Sequence, residues 1–209
     1  MCRPFSQERL IIEPTDDLDM DLGEALLIAA SGLWLALPAM LPNSAAVLTG
    51  GGRPVDFGKS WKGRRILGDG KTWRGFIGGA AAGVLLGLLM LGIASVAGWS
   101  DNAGYGPTSQ AVGVIVLLAV GSLVGDMLGS FLKRRLDVPR GAKMPVLDQY
   151  DFLIGAFLLA GLFYPSWFLS SYIEGWSILA LITLLVVTPV LHRVMNIIGY
   201  RMGKKEVPW

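Results

Sequence analysis

The sequence predicts an all-α integral membrane protein with about five transmembrane helices and two long cytoplasmic loops, the N-terminus outside and the C-terminus inside. Three observations predict this fold class. Hydrophobic residues make up 53% of the chain and the mean hydropathy is +0.54, well above the values of a soluble domain. Five long apolar segments follow one another, and the connections between them differ sharply in positive charge.

Each predicted span is long enough to cross a bilayer core of roughly 30 Å. The spans cover residues 24–48, 75–98, 110–132, 152–170 and 176–198. Pro189 lies inside the last one, where we expect a kink. Residues 1–21 are polar and acidic, so we interpret them as a tail and residues 22–209 as a single membrane-embedded domain.

The connections between the spans predict the orientation. Loop 49–74 carries seven Lys or Arg residues and loop 133–151 carries five, whereas connections 99–109 and 171–175 carry none. Positively charged loops remain in the cytoplasm, and the C-terminal end is also basic, so we place both long loops and the C-terminus inside. Five spans then place the N-terminus outside.

Two spans carry glycines at four-residue spacing. The stripes consist of Gly79, Gly83 and Gly87 in the second span and Gly121, Gly125 and Gly129 in the third. Glycine stripes let helix backbones approach closely. We therefore expect the second span to pack tightly against the third.

The stretch GDGKTWRG at residues 68–75 resembles part of a phosphate-binding P-loop. A true P-loop would need glycine at position 65, which is Arg65, and a buried strand before it, so that interpretation fails. Four polar residues nevertheless alternate with small ones here: Asp69, Lys71, Thr72 and Arg74. This pattern suits a loop that closes over phosphate groups. Binding of anionic lipid headgroups is an alternative explanation for part of the loop's charge.

Asp126, Ser130 and Lys133 are spaced i, i+4 and i+7 in the third span and therefore share one helix face. A carboxylate within a membrane costs about 3 kcal/mol even on lenient scales, so Asp126 should face protein, water or a cation. An internal ion pair with Lys133 or Arg134 is the alternative to a metal-binding role.

Pro145 suits the start of the next helix, which places Asp148 and Asp151 on roughly one face near its first turn. Capping of the helix dipole is an alternative role for these acids, and for Asp151 the two roles stay open. The chain has one His and one Cys, so a bound metal should be hard and oxygen-ligated. Asp126 and Asp148 suit Mg²⁺ held by carboxylates and substrate phosphates.

Three motifs occur in order along the chain: GGRPVDFGKSWKGRRILGDGKTWRGFIGG, GDMLGSFLKRR and PVLDQYDFLIG. From about residue 22 onward, the chain closely resembles the archaeal CDP-archaeol synthases, which transfer CMP from CTP to an unsaturated archaetidic acid. It is also similar to the related CDP-diacylglycerol synthases, although Gln149 stands where their second motif has Arg. This departure indicates the archaeal branch.

The resemblance implies a catalytic domain and a role for each candidate residue. Mg²⁺ would be bound by Asp126, Asp148 and Asp151, and the catalytic cations would be Lys71, Lys133 and Arg134. Substrate binding would involve Asn43, Asp69, Thr72, Arg74, Ser130 and Arg135. The lipid phosphate is already ionised, so its oxygen can attack the α-phosphorus of CTP without a strong protein base.

The expected partners are CTP, a lipid phosphate and membrane lipids, with the active site at the cytoplasmic face of the cell membrane. We expect no nucleic-acid partner, and a homodimer stays open. A CTP-dependent polyprenol kinase is the rival enzyme. A small membrane transporter is the rival outside enzymes, but the charged residues cluster on one side of the membrane and not at its midplane. The roles of Gln149 and Lys143 stay open.

Overall fold

A computed structural model describes most of the chain. It covers residues 20–99, 101–139, 142 and 144–203. Most of the predicted tail at residues 1–21 lies outside the described residues, and so do Arg140 and Lys143 of the second basic loop.

The described chain is mainly helical. Its helices are α1 (Leu22–Thr49), α2 (Trp73–Val96), α3 (Asp101–Gly104), α4 (Thr108–Arg135), α5 (Pro145–Phe163), α6 (Pro165–Tyr172) and α7 (Ile178–Arg201). Helices α1, α2, α4, α5 and α7 are long and apolar enough to cross a membrane, which confirms the five predicted spans. The sequence did not predict the short antiparallel hairpin of β1 (Ser60–Trp61) and β2 (Arg64–Arg65) in the first basic loop.

The fourth span lies earlier in the chain than expected. Helix α5 begins at Pro145 and ends at Phe163, whereas the predicted span covered 152–170. Pro165 explains the early end, because its ring disfavours helical geometry at the preceding residue. Tyr164 accordingly has φ −130° and ψ 61°, and α6 follows as a separate short helix.

The outer surface of the bundle is apolar, as a lipid environment requires. Val96 is 92% exposed, Val186 66% and Leu158 65%. The core between the helices contains fully buried Ile115 and Leu184. Large apolar side chains thus lie on both sides of the spanning helices.

Glycine allows the closest helix contacts. A Cβ atom on Gly125 of α4 would collide with the backbone carbonyl of Asp151 on α5, and one on Gly121 would lie 2.8 Å from the Cα of Ala156. The stripe of the third span therefore packs against the fourth span, while the predicted close packing of the second span against the third is confirmed through the stripe of the second. The α2 stripe does face α4, and also α1: a Cβ on Gly83 would lie 2.8 Å from the Cβ of Ala119.

Tyrosine hydroxyls compensate for prolines inside two helices. Pro38 has no N–H to donate to the carbonyl of Trp34, and the hydroxyl of Tyr105 lies 3.3 Å from that oxygen and 3.2 Å from the carbonyl oxygen of Leu35. Pro189 likewise leaves the carbonyl of Leu185 without its helical donor, and the hydroxyl of Tyr150 donates to it at 2.7 Å. At Pro38 and at Pro189, another element thus supplies a hydrogen bond to the carbonyl that the proline leaves without its helical donor.

Replacement of Gly125 by alanine should separate α4 from α5. We expect Gly125→Ala to lower the free energy of unfolding by about 1–3 kcal/mol, the usual cost of overpacking a tight contact. Gly92→Ala is the matched control, because a Cβ at Gly92 has no atom of the described structure within 4 Å. Thermal unfolding in detergent measures both variants. Equal melting temperatures for the two would contradict the proposed role of this contact.

Candidate active site

The first basic loop is built around the buried carboxylate of Asp56. Its two oxygens accept hydrogen bonds from the Arg65 guanidinium at 2.9 Å and from the backbone N–H groups of Leu67, Gly68 and Gly58 at 3.0 Å each. Burial alone would raise the pKa of Asp56, but these hydrogen bonds hold the pKa well below its usual range. The sequence analysis missed Asp56. Its position in the motif RPVDFGK is the only sequence signal, and it does not distinguish a buried acid from an exposed one.

The ordered loop positions Lys71 just before the start of α2. The N–H of Val55 donates to the carbonyl of Lys71 at 2.8 Å, and the N–H of Trp73 donates to the carbonyl of Arg53 at 3.1 Å. Thr72 then begins the helix, since its hydroxyl oxygen accepts from the N–H of Gly75 at 3.2 Å. These contacts fix the backbone on both sides of Lys71.

Arg135 attaches the hairpin to the end of α4. Its guanidinium donates to the carbonyls of Trp61 at 2.7 Å, Arg65 at 2.8 Å and Arg64 at 3.1 Å. It also lies 5.3 Å from the centroids of the Trp61 and Phe131 rings. Arg135 therefore holds the loop in place, and its predicted contact with substrate stays a prediction.

Two ion pairs place a lysine of the first basic loop and a lysine of α4 on the acids of α4 and α5. Lys71 pairs with Asp126, and Lys133 pairs with Asp148. The Lys71 and Asp126 side chains are 28% and 26% exposed, so both pairs remain accessible to a charged ligand. Asp126 is thus paired, as the alternative interpretation required, but with Lys71 and not with Lys133 or Arg134.

The acids of α5 are also held locally. Asp148 accepts a hydrogen bond from the N–H of Met144 at 3.0 Å, which fits the helix-capping alternative for this residue. Asp151 accepts from the N–H of Phe152 at 2.7 Å and lies directly against Gly129, where a Cβ would collide with its carboxylate. The Asp151 carboxylate thus occupies space that glycine leaves free.

A cavity of about 490 Å³ opens beside these ion pairs. Six of the predicted site residues line it: Asn43, Lys71, Thr72, Asp126, Asp148 and Asp151. The remaining wall is largely apolar and includes Met40 of α1 and Leu191 of α7. One end of the cavity is therefore charged and the other suits hydrocarbon.

Two buried oxygens at this cavity have no hydrogen-bond partner within the described part of the chain. They are Oδ1 of Asn43 and Oγ1 of Thr188. A buried polar atom without a partner costs about 1–3 kcal/mol, so both are suited to a polar group of a ligand. The sequence analysis missed Thr188, since a hydroxyl inside an apolar span gives no signal by itself.

The other predicted residues lie outside the cavity lining. Asp69 is 63% exposed and pairs with Arg65 at 2.8 Å, and Arg74 is exposed at the start of α2. Ser130 and Arg134 are half-buried near the end of α4. Lys133 reaches the cavity through its ion pair with Asp148.

The donors around the cavity fit a hard divalent cation. Among the described residues, no group of three or more His, Cys, Asp or Glu side chains is arranged to hold a metal ion by itself. The cavity nevertheless has carboxylate oxygens from Asp126, Asp148 and Asp151 and the unpaired amide oxygen of Asn43. Mg²⁺ commonly uses one or two carboxylates and completes its shell with substrate phosphates and water.

Comparison with known proteins identifies the family. The CarS-like family model for CDP-archaeol synthase matches residues 25–209. The chain belongs to the CDP-archaeol synthase family. The synthase of Methanospirillum hungatei is 49% identical over 83% of this chain and 99% of its own length. The synthase of Archaeoglobus fulgidus is 46% identical over 85% of this chain and 96% of its own length. The synthase of Halobacterium salinarum is 44% identical over 91% of this chain and 100% of its own length.

A solved structure supports the same conclusion for the fold. It is an intramembrane enzyme for the biosynthesis of archaeal membrane lipids, with a TM-score of 0.52 and 36% identity. The match covers 79% of this chain and 94% of that one. The resemblance drawn from the three motifs is thus confirmed, and so is the expectation of a membrane-embedded nucleotidyltransferase of lipid biosynthesis.

Asp56→Asn should disorder the loop that carries Lys71. The amide replaces one acceptor oxygen by a donor that faces other donors, so we expect faster tryptic cleavage between residues 59 and 65. We also expect kcat/KM for CMP transfer to fall at least tenfold, or about 1.4 kcal/mol. Asp137→Asn is the control, because Asp137, just after α4, also pairs with an arginine of this loop, Arg64, but its side chain is 67% exposed. Similar effects of both substitutions would contradict a special role of Asp56.

Proposed function

We propose that the cavity between α1, α4, α5 and α7 is where CMP passes from CTP to an unsaturated archaetidic acid. The observation that carries this proposal is the pairing of Lys71 with Asp126 and of Lys133 with Asp148 beside a cavity with an apolar wall. Two cations, one from the first basic loop and one from the last turn of α4, can neutralise phosphates there, while the apolar wall accepts the lipid chains. Residues 22–209 then act as one catalytic domain.

The reaction needs orientation and charge neutralisation more than a base. An oxygen of the ionised lipid phosphate attacks the α-phosphorus of CTP, the new P–O bond forms, and the bond to the β-phosphate breaks with release of pyrophosphate. Lys71 and Lys133 leave their carboxylates and bind phosphate oxygens, with Arg134 nearby as a third cation. Charge that spreads over the phosphate oxygens is stabilised by such cations.

Mg²⁺ is the proposed cofactor, held by Asp126, Asp148 and Asp151. When bound, it would neutralise phosphate charge at the reacting end of CTP. These carboxylates are balanced by lysines in the structure, so an incoming cation and its phosphates would exchange partners with two existing ion pairs.

The substrate-binding roles of the other predicted residues are also proposals. Asn43 and Thr72 border the cavity directly, and the buried oxygen of Asn43 has a free acceptor site within the described structure. Arg74, Ser130, Asp69 and Arg135 would act from its rim, the last two chiefly by holding the loop.

A product assay tests the function. The purified protein would be incubated with CTP labelled in the α-phosphate, Mg²⁺, a panel of ether and ester lipid phosphates, and a polyprenol. We expect a labelled CDP-lipid together with free pyrophosphate. Labelled CDP and a newly phosphorylated polyprenol would instead indicate the kinase, and accumulation of a substrate across sealed vesicles without new products would indicate the transporter.

Lys71→Ala should lower kcat/KM at least tenfold, because it removes a cation from the phosphate site. Lys59→Ala, which alters an exposed lysine of the same loop, should leave the rate unchanged. The melting temperature of each variant separates a catalytic loss from unfolding. Near-normal turnover of folded Lys71→Ala protein would assign this lysine to lipid headgroups.

Asp126→Asn and Asp148→Asn should each abolish most activity, and the double variant should lose little more, since residues that act as a unit fail together. Loss of an ion pair alone would mainly destabilise the fold and leave the Mg²⁺ requirement unchanged. CMP transfer across a Mg²⁺ titration, with thermal unfolding in parallel, separates the two cases. A folded and active Asp148→Asn protein with normal Mg²⁺ dependence would refute the metal assignment.

We also propose that the active site faces the cytoplasm, on the basis of the charge asymmetry between loops. Single cysteines at Lys59 and Ser109, in a Cys2→Ser background, test this orientation in intact cells. An impermeant thiol reagent should label position 109 from outside and position 59 only after the membrane is opened. Labelling of both from the same side would contradict five spans with this orientation.

A further inference from the structure

A second cavity, of about 640 Å³, lies at the opposite end of the bundle from the active site. It is bordered by the first half of α1, by α6 and by the start of α7. The active-site cavity is bordered by the second halves of α1 and α7. The two cavities therefore belong to different ends of the same helices, and the proposed reaction does not use the second one.

The lining of the second cavity is mostly apolar and includes three indole rings. Trp34 and Trp99 pack edge to face with centroids 5.8 Å apart, and Trp176 lies across the cavity on the turn before α7. Tryptophan is enriched where a protein crosses the boundary between hydrocarbon and lipid headgroups. The tryptophans therefore indicate that the cavity lies at this boundary, where bilayer lipids are present.

One polar group inside this cavity lacks a partner. The indole N–H of Trp34 is buried and has no acceptor among the residues that the structure describes. A buried N–H without an acceptor is costly in an apolar environment. A ligand that combines a hydrocarbon chain with an oxygen acceptor at this depth would remove that cost.

The charges of the lining restrict the headgroup of such a ligand. Glu174 is its sole charged residue within the described chain, and the other polar side chains are hydroxyls such as those of Ser31 and Ser171. Without a Lys or Arg, the cavity has nothing to neutralise a phosphate, and Glu174 would repel one. A neutral head with hydroxyl or ether oxygens fits both the serines and the Trp34 donor.

We propose that this second cavity binds one neutral membrane lipid, a glycerol carrying hydrocarbon chains and a free hydroxyl. One chain occupies the apolar interior, an oxygen of the glycerol accepts from the N–H of Trp34, and the hydroxyl lies among the serines near Glu174. The site is distinct from the catalytic cavity, which takes the anionic lipid phosphate.

Photolabelling of the full-length protein in phosphatidylcholine nanodiscs tests this proposal. The probe is a dialkylglycerol with a diazirine in one chain, and mass spectrometry locates the attached label. We expect label in the peptides that contain Trp34 and residues 170–180. Ser171→Phe fills the cavity and should lower this labelling at least fivefold, while CMP transfer stays unchanged. Val186→Phe, on the exposed face of α7, is the control and should leave the labelling intact.

Trp34→Phe keeps an aromatic ring but removes the N–H donor, so it should reduce labelling by the glycerol probe and not by an alkane with the same diazirine. Label spread evenly over exposed positions such as Val96, and insensitive to Ser171→Phe, would mean bulk lipid only and overturn the proposal. A dimer that dissociates in Ser171→Phe would also overturn it, since a second copy of the chain would then cover this cavity.

Discussion

The close contact between α4 and α5 determines where the acids of the candidate active site lie. Gly125 meets the backbone of Asp151, and Gly129 leaves room for the carboxylate of the same residue. A larger side chain at either glycine would force the helices apart and separate Asp151 from Asp126 on α4. Because glycines without side chains lie where the two helices meet, the three carboxylates can lie at one cavity.

Acids brought together in this way require positive charge, and two lysines supply it. Lys71 comes from the connection between α1 and α2, and Lys133 from the end of α4. The connection between α1 and α2 has little regular structure beyond the β1–β2 hairpin, so its order depends on the buried carboxylate of Asp56 and on the guanidinium of Arg135. The buried carboxylate of Asp56 therefore keeps in order the loop that presents the cation of Lys71 to the cavity. Polyphosphate binding needs both a rigid backbone and cations that can change partners.

The sequence predicted the spans and the family well, because long apolar runs and ordered motifs are local signals. It predicted less about contacts that depend on tertiary packing. Glycine spacing identified the α4 stripe, but spacing cannot say which neighbouring helix approaches it. Arg135 and Lys133 belong to the same basic run, so the sequence alone does not distinguish their roles. In the folded protein Arg135 binds backbone carbonyls of the hairpin, whereas Lys133 pairs with Asp148. Thr188 carried no signal at all.

The tyrosine hydroxyls that bind proline-freed carbonyls have a consequence for the alignment of the bundle. Apolar packing is non-directional, so by itself it fixes the axial position of one element against another only loosely. Hydrogen bonds are directional: Tyr150 fixes the height of α5 relative to α7 at Leu185, and Tyr105 holds the segment before α4 against α1 at the carbonyls of Trp34 and Leu35. Pro38 and Pro189 thus each free a carbonyl of their own helix for a hydrogen bond to another element, and these bonds help to set the axial register of the bundle.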